Sequence, residues 1–423
     1  MSDSTASWLR SGPEQPPPRA GTSSPPWRIA FVENNRDGTI GGSHRALYDL
    51  VRHLDRARVE PVIVFYQDNA FAGRMRELGA EVCLWDAIAP AEFDTARSSH
   101  LIGKAAFQAR AVRERVRFLR RVRADLVHLN NSPIAGIDDW LPAAQWLGLR
   151  CIAHSRAAVG PHRGLVHRTL LRRFDRVIAV SDHVAESVVQ AGFPRERLAR
   201  VYDGVDLADV RARVRRTPTE VRAEFGIPDD AFLVVMVGHL KAWKGQHVLL
   251  QALARLPADV GGRAVALLVG EAPPADHDYF DYLVGLRRDL GLERQVLLAG
   301  YRADAVELMN AADAVVHAST MPEPFGLVVV EAMGLGKAVV ASSIGGPAEV
   351  VLPGTGLLFD PEDPGALAGH LAAIARDPEL RARLRAGGRA RAADFDIEPC
   401  VRAIDALYGQ LLVPRPVPLE RGA

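Results

Sequence analysis

A loop and the helix after it, near residue 325, carry two glutamates suited to binding a polyhydroxylated ligand. Glu323 lies in a run rich in proline and glycine, and Glu331 follows eight residues later in an apolar helical stretch. Pro324 disfavours the helical conformation at Glu323, so this carboxylate stays in the loop. Carboxylates accept hydrogen bonds from pairs of hydroxyl groups, and the free amides of a helix start suit an anionic oxygen. The amides that would face the ligand belong to Phe325, Gly326 and Leu327.

A second loop, Gly238-His-Leu-Lys-Ala-Trp-Lys-Gly245, concentrates positive charge before a helix. Lys241 and Lys244 are two of only four lysines in the chain. An ammonium group at a helix N-terminus opposes the helix dipole, and a bound anion such as a diphosphate would relieve that cost. The sequence therefore predicts a diphosphate site at this loop, although a solvated loop lysine is the alternative.

A third candidate site is the glycine pair Gly41-Gly42, which follows the first strand and opens the first helix. Glycine lets the backbone approach a ligand closely, and a helix start favours an anion. The chain lacks the G-x-G-x-x-G fingerprint after either first strand, so a dinucleotide-dependent oxidoreductase is not indicated.

The elements that position these loops alternate between buried strands and helices, which predicts parallel sheets covered by helices on both faces. The pattern restarts near residue 231 after a polar, turn-rich stretch. We therefore expect an α/β protein with two doubly wound domains, over residues 27–210 and 211–395, and a ligand cleft between them. A helix is expected over 396–412, with loose tails at 1–26 and 413–423.

The composition of the chain argues against several classes of function. The 423 residues carry a net charge of +1, which argues against a dedicated nucleic-acid binder. Three widely spaced cysteines give no metal or disulfide pattern, and no apolar run is long enough to span a membrane. The N-terminal tail has no apolar signal-peptide core. The expectation is a cytoplasmic enzyme.

These landmarks together resemble the retaining GT-B glycosyltransferases of family four, whose signature is E-x7-E. The resemblance covers about residues 28–395. It implies that the first domain holds the acceptor, through loops such as 36–45, 87–103 and 156–170, and that the second binds the nucleotide sugar. It also implies that the helix over 396–412 crosses back onto the first domain. It rests on seven features in the family's order: Gly41-Gly42, Ala179-Val-Ser181, Tyr202-Asp-Gly-Val-Asp206, Lys244-Gly245, Ala312-Asp313, the Glu323–Glu331 segment, and Gly345-Gly346 with Glu349.

The resemblance implies a role for each matching residue. Glu331 would bind the ribose hydroxyls of a nucleotide sugar, Glu323 its sugar, and Lys244 its diphosphate. Gly42 would approach the diphosphate from the other domain, and His154, at the end of a strand, would lie near the donor sugar. His239 stands where the family usually has arginine, which puts one phosphate contact in doubt unless Lys241 replaces it.

The implied reaction is retaining transfer of a hexosyl group from a nucleotide-diphosphate sugar to an acceptor hydroxyl, in cell-surface polysaccharide or glycolipid synthesis. Because the cationic loop could replace a metal and no convincing D-x-D is present, we predict no metal and no cofactor. A nucleotide-sugar epimerase and a catalytically silent nucleotide-sugar-binding protein on the same scaffold remain alternatives.

A basic helix offers a separate surface. Seven arginines and one glutamate lie between Arg110 and Arg123, and Val112, Val116, Leu119 and Val122 recur at helical spacing. That spacing predicts an inward-packed face. The outer face is either solvated or docks on an anionic membrane, which would place the enzyme peripherally at the inner face of the cytoplasmic membrane near a lipid-linked or carbohydrate acceptor.

Overall fold

A computed structural model of the chain describes residues 26–33, 35, 40–89, 101–160 and 164–412. The expected tails at 1–26 and 413–423 lie outside these residues, apart from residue 26. Parts of three loops from which acceptor contacts are expected, 36–45, 87–103 and 156–170, also lie outside them.

The first domain is built on a parallel sheet with strand order β3-β2-β1-β4-β5-β6-β7. Its strands are β1 (Trp27–Glu33), β2 (Val59–Phe65), β3 (Glu81–Leu84), β4 (Leu126–Asn130), β5 (Arg150–Ser155), β6 (Arg176–Ala179) and β7 (Leu198–Arg200). Its helices are α1 (Gly42–His53), α2 (Ala70–Glu77), α3 (Trp85–Ile88), α4 (Leu101–Arg121), α5 (Trp140–Trp146), α6 (Leu165–Leu171) and α7 (Asp182–Gln190).

The second domain repeats this plan with strand order β10-β9-β8-β11-β12-β13, again parallel. Its strands are β8 (Phe232–Val237), β9 (Ala264–Val269), β10 (Val296–Gly300), β11 (Ala314–His317), β12 (Ala338–Ser342) and β13 (Leu357–Phe359). Its helices begin with α8 (Leu207–Ala212), α9 (Pro218–Glu224), α10 (Gln246–Leu253), α11 (Ala258–Gly261) and α12 (His277–Asp289), and continue with α13 (Ala305–Ala311), α14 (Leu327–Gly334), α15 (Pro347–Val350), α16 (Pro364–Arg376) and α17 (Pro378–Ala392).

The strands are apolar on both faces because helices cover both sides of each sheet. In β8, the five residues from Phe232 to Met236 are all buried, and they divide between two cores on opposite faces of the sheet. The prediction of two doubly wound α/β domains is confirmed. In each sheet the order reverses where the first strand meets the fourth, which is where doubly wound folds bind ligands.

The chain passes between the domains twice, and the two crossings run side by side. Val205 and Asp396 form an isolated parallel bridge, and the Val205 amide donates to the Phe395 carbonyl at 2.9 Å. A Cβ on Gly204 would lie 2.7 Å from the Cα of Ile397, so only glycine fits between the crossings.

One helix follows each of the two crossings between the domains. Helix α8 runs across the position 210/211, and its Leu207 packs against Gly334 of α14 in the second domain. The last helix, α18 (Ile397–Leu412), packs against α1 of the first domain, and its Tyr408 is buried there with its hydroxyl 2.6 Å from Nδ1 of His128.

Candidate active site

The loop that carries Glu323 is held by a glycine pair. Glu323 lies outside the helix, as Pro324 favours, and forms an isolated parallel bridge with Gly345. Gly345 has a φ of +69°, and a Cβ there would lie 2.5 Å from the Glu323 carbonyl oxygen. A Cβ on Gly346 would lie 2.4 Å from the Cα of Phe325. The pair therefore has to be glycine for the loop to lie where it does.

A second close approach brings Lys244 to this loop. Gly245 has a φ of +78°, and a Cβ there would lie 1.9 Å from the carbonyl oxygen of Ala318. The Thr320 amide donates to the Trp243 carbonyl at 2.8 Å. As a result the Lys244 ammonium donates to Oε1 of Glu323 at 2.5 Å. The loops after β8 and β11 thus meet where the strand order of the second sheet reverses.

The same carboxylate has two further partners. The Ser319 hydroxyl donates to Oε1 of Glu323 at 2.5 Å, and Nε2 of His317 lies 2.9 Å from that oxygen. Glu323 is buried, which opposes ionisation, but His317 and Lys244 outweigh this effect and hold its pKa below the ordinary value. Sequence reasoning missed His317. Its position as the last residue of β11, beside the signature loop, is the signal that could have identified it.

Glu331 lies one helical turn into α14 and is partly buried. Arg45 of α1 and Arg213 are close enough to stabilise its charge, yet desolvation outweighs them and raises the pKa of Glu331. Nε of Arg213 lies 3.2 Å from Oδ2 of Asp209, and one of its terminal nitrogens is buried without a hydrogen-bond partner. The second glutamate of the signature therefore lies among cations that make no direct ion pair with it in the described part of the chain.

The starts of α1 and α14 face each other across the cleft. A Cβ on Gly42 would lie 3.4 Å from Cδ1 of Leu327. Gly326 caps α14 with a φ of +96°, a left-handed conformation that favours glycine. The structure thus brings together Gly41 and Gly42, the amides of residues 325–327, and the Lys244–Glu323 pair.

The other two residues of the cationic loop have different surroundings. His239 is half-buried, and desolvation together with Lys241 and Lys244 lowers its pKa, so its ring is neutral at pH 7. Nζ of Lys241 lies 3.5 Å from the Asp276 carboxylate. Among the described residues, Lys244 is therefore the loop cation that lies against Glu323.

His154 lies inside the first domain, below the cleft. Its exposed fraction is 0%, and neither ring nitrogen has a hydrogen-bond partner. Its ring stacks on His128 at 5.5 Å, and Nε2 lies 3.8 Å from Asp203. Burial and the charge of Arg156 lower the pKa of His154 well below its usual value. No contact joins it to the Glu323 cluster in the described residues.

A buried polar network at the carboxyl edge of the first sheet was not foreseen. Arg156 donates to Asn130 and, at 3.0 Å, to Asp203, while Asn130 donates to Glu33. The Ser43 hydroxyl donates to Glu33 at 3.2 Å, so the network reaches the start of α1. Burial raises the pKa of Glu33 to about 7, although its hydrogen bond with Asn130 and the charge of Arg156 oppose the shift.

Within the described residues, no group of three or more His, Cys, Asp and Glu side chains is arranged to hold a metal ion. In the same part of the chain, no helix is both long and apolar enough to cross a bilayer.

Two family models match the chain. Residues 40–209 match Glycosyltransferase Family 4, and residues 218–391 match Glycosyl transferases group 1. The D-inositol 3-phosphate glycosyltransferase of Mycolicibacterium vanbaalenii is 33% identical over 311 residues, covering 68% of this chain and 67% of that protein. The D-inositol 3-phosphate glycosyltransferase 1 of Catenulispora acidiphila is 30% identical over 328 residues, covering 76% and 73%.

Solved structures agree with this assignment. Anabaena HepE, crystallised with UDP-glucose, superposes with a TM-score of 0.75 at 28% identity over 91% of this chain and all of HepE. A glycosyltransferase from Rickettsia africae shares the fold, with a TM-score of 0.77 at 17% identity over 92% of this chain. The chain belongs to glycosyltransferase family 4 and has the GT-B fold.

Proposed function

We propose that this enzyme transfers a hexosyl group from a nucleotide-diphosphate sugar to an acceptor hydroxyl with retention of anomeric configuration. The Lys244–Glu323 pair supports this most directly, since it puts a cation and an anion together at the switch point of the second sheet. UDP-glucose is the first donor to test, because HepE has been crystallised with it.

The proposed role of each residue follows from the negative charge that develops on the departing diphosphate. As the sugar leaves, negative charge builds on the diphosphate, and the Lys244 ammonium with the amides of residues 325–327 would stabilise it. Glu331 would accept the two ribose hydroxyls, and Glu323 would accept hydroxyls of the donor sugar. The acceptor would attack on the face that the diphosphate leaves. The protein would then act chiefly by holding donor and acceptor in the reactive geometry.

Other parts of the site have supporting roles in this proposal. Lys241 is half-buried beside Asp276, and neutral His239 can offer a hydrogen bond to phosphate but no charge. Gly41 and Gly42 would bring backbone to the diphosphate from the first domain. His154 would shape the floor of the donor-sugar site rather than transfer a proton, because its ring is neutral and enclosed.

The reaction is proposed to need no metal, because Lys244 supplies the positive charge that a divalent cation would otherwise bring to the diphosphate. The test is activity in excess EDTA. Loss of activity that magnesium or manganese restores would contradict metal independence.

The acceptor is proposed to be a polyol phosphate or a carbohydrate carried by a lipid. The relatives from Mycolicibacterium and Catenulispora are named for inositol 3-phosphate, which favours the first class. The basic surface of α4 favours the second. Assays with inositol 3-phosphate and with a lipid-linked sugar, using the same labelled donor, separate the two classes.

The basic segment 110–123 differs from the sequence expectation in one respect. Arg115 is not part of a basic outer face: it is fully buried, pairs with Asp139 at 2.9 Å and lies over the rings of Trp85 and Trp140. The inward packing of Val116, Leu119 and Val122 is confirmed. The exposed arginines of this segment are Arg110, Arg113, Arg120, Arg121 and Arg123.

We propose that this reduced basic face docks on anionic membrane. Trp146, at the end of helix α5, which packs against α4, is 76% exposed, and exposed aromatic and basic side chains both suit a lipid headgroup region. Co-sedimentation with anionic vesicles is expected, with little binding to neutral ones. Equal binding to both, or none to either, would contradict it.

The experiment that tests the function is a thermal-shift panel of UDP-, GDP- and ADP-sugars, followed by product analysis with and without acceptor. A true donor raises the melting temperature by mass action. A transferase forms a new glycoside with acceptor, whereas an epimerase converts the donor without one. Transfer or donor hydrolysis that disappears in a folded Glu323→Ala variant excludes a silent binding protein.

A further inference from the structure

The carboxylate of Glu349, in the second domain, contacts the start of helix α7 in the first domain. Oε2 of Glu349 accepts from the Asp182 amide at 2.8 Å, and Oε1 accepts from the His183 amide at 2.8 Å. Each oxygen therefore takes one backbone donor, although more than 160 residues separate the partners in sequence.

This contact completes the cap of α7. A helix leaves its first amides without partners inside the helix. The Ser181 hydroxyl accepts from the Val184 amide at 3.1 Å, which satisfies one of them. Glu349 accepts from the two amides before it, and its negative charge is favourable at the positive end of the helix dipole. The first domain thus has a helix whose cap is shared with the second domain.

Glu349 is firmly held on its own side. Arg391 of α17 donates to the Glu349 carbonyl at 2.9 Å and to the Val350 carbonyl at 3.1 Å. Helix α15, which carries Glu349, begins directly after the glycine pair that packs on the Glu323–Phe325 loop. A shift of Glu349 would therefore also shift the support of the donor loop.

An aromatic cluster joins the same parts of the molecule. Tyr202, just after β7, lies 5.7 Å from the ring of Phe325 and 5.2 Å from that of Phe395. Arg200 of β7 lies over the Tyr202 ring at 4.1 Å and pairs with Asp182 at 3.2 Å. The contacts run from the start of α7 to the donor loop without a break.

We propose that Glu349 is a positioning residue that fixes the first domain against the donor loop and so sets the distance between acceptor and donor sugar. This inference rests on the proposed function, in which the donor binds to the second domain and the acceptor to the first. Glu349 itself touches neither substrate.

The expected consequence is a split between binding and turnover. The groups assigned to the nucleotide lie mainly in the second domain, so loss of the contact leaves UDP affinity unchanged. Transfer needs both domains in register, and a misplacement of about 1 Å can cost about 100-fold in rate. The turnover number should therefore fall while the dissociation constant of UDP does not.

The test compares Glu349→Gln with Glu349→Asp and with a control, Glu362→Gln, which changes an exposed glutamate in the loop before α16. Glutamine has one acceptor oxygen, and its amide group meets the second backbone N–H as another donor, so it cannot cap both amides. Aspartate keeps the charge and should rescue in part. The three variants are measured by hydrogen exchange of the α7 start, small-angle X-ray scattering, UDP titration and turnover.

Glu349→Gln should speed hydrogen exchange at the start of α7 and broaden the pair-distance distribution obtained from scattering. It should lower the turnover number about 10- to 100-fold at unchanged UDP affinity. Glu362→Gln should match the wild type in all four. Unchanged exchange and scattering in Glu349→Gln, or a parallel fall of UDP affinity and turnover, would overturn the proposal. Hydrogen exchange and scattering do not depend on activity, so they test the positioning role of Glu349 even if the wild type neither binds UDP nor transfers sugar. Absence of UDP binding and transfer in the wild type would reject the proposed function instead.

Discussion

The ammonium of Lys244 lies 2.5 Å from a carboxylate oxygen of Glu323, although the two residues are 79 positions apart in sequence. Each residue follows a strand at the point where the order of the second sheet reverses. Tight backbone contacts at Gly245, Gly345 and Gly346 let the loops meet. A bound diphosphate and sugar would replace this ion pair with contacts to both groups.

Replacing Lys244 with methionine should lower transfer about 10²- to 10³-fold, because it removes the cation that meets the leaving diphosphate. UDP affinity should fall as well. The measurement is steady-state turnover with UDP titration. Lys244→Arg, which keeps the charge, should retain more activity than Lys244→Met, and equal losses in both would contradict a role for the charge.

Donor binding should depend on pH through Glu331. Because desolvation raises its pKa, the carboxylate becomes protonated at a higher pH than an exposed glutamate does. The affinity for UDP-glucose should therefore fall as the pH is lowered, since the protonated form is the weaker acceptor for ribose hydroxyls. Glu331→Gln should bind weakly at every pH, and calorimetric titrations across pH decide this. A variant that keeps the pH dependence would show that another group causes it.

Gly346→Ala should impair the donor site without unfolding the domain. The added Cβ would lie 2.4 Å from the Cα of Phe325, so the Glu323–Phe325 loop must move. Gly369→Ala is the matched control, since Gly369 lies in α16 with nothing within 4 Å of its Cβ position. That change should stabilise the protein by about 0.5–1 kcal/mol. Equal UDP affinity in both variants would argue against a role for Gly346 in supporting the Glu323–Phe325 loop.

Unfolding measurements should reveal the raised pKa of Glu33. Its pKa is about 7 in the folded protein and near 4.5 when exposed, so the folded state holds the proton more strongly. This contribution to stability is present below pH 4.5 and is lost as the pH rises to 7, at up to about 1.4 kcal/mol per pH unit. The stability of Glu33→Gln relative to the wild type should rise over that window. A constant difference from pH 5 to 8 would contradict the shift.

Local patterns made the fold and the centre of the site predictable. Alternating strands and helices indicate two doubly wound sheets. Pro324 keeps Glu323 out of the helix, and the placement of Gly42, Lys244 and Glu323 after strands brings them to the same edges. Such features depend on neighbours in sequence, so one chain is enough to identify them.

Long-range burial was not predictable in the same way. In the sequence, Arg115 resembles the surface arginines around it. In the structure it lies over the rings of Trp85 and Trp140 and pairs with Asp139. Asn130, which donates to Glu33, lies 97 positions away from it, and the amides that Glu349 accepts from lie more than 160 positions away. No periodicity indicates either contact. Their environments are set by tertiary packing.

Retention of configuration is tested by time-resolved proton NMR of UDP-glucose hydrolysis by the enzyme, with water as acceptor and read before the sugar mutarotates. We expect α-glucose to appear first, in the configuration of the donor, and folded Glu323→Gln to release none. Initial release of β-glucose, or turnover that persists in Glu323→Gln, would contradict it.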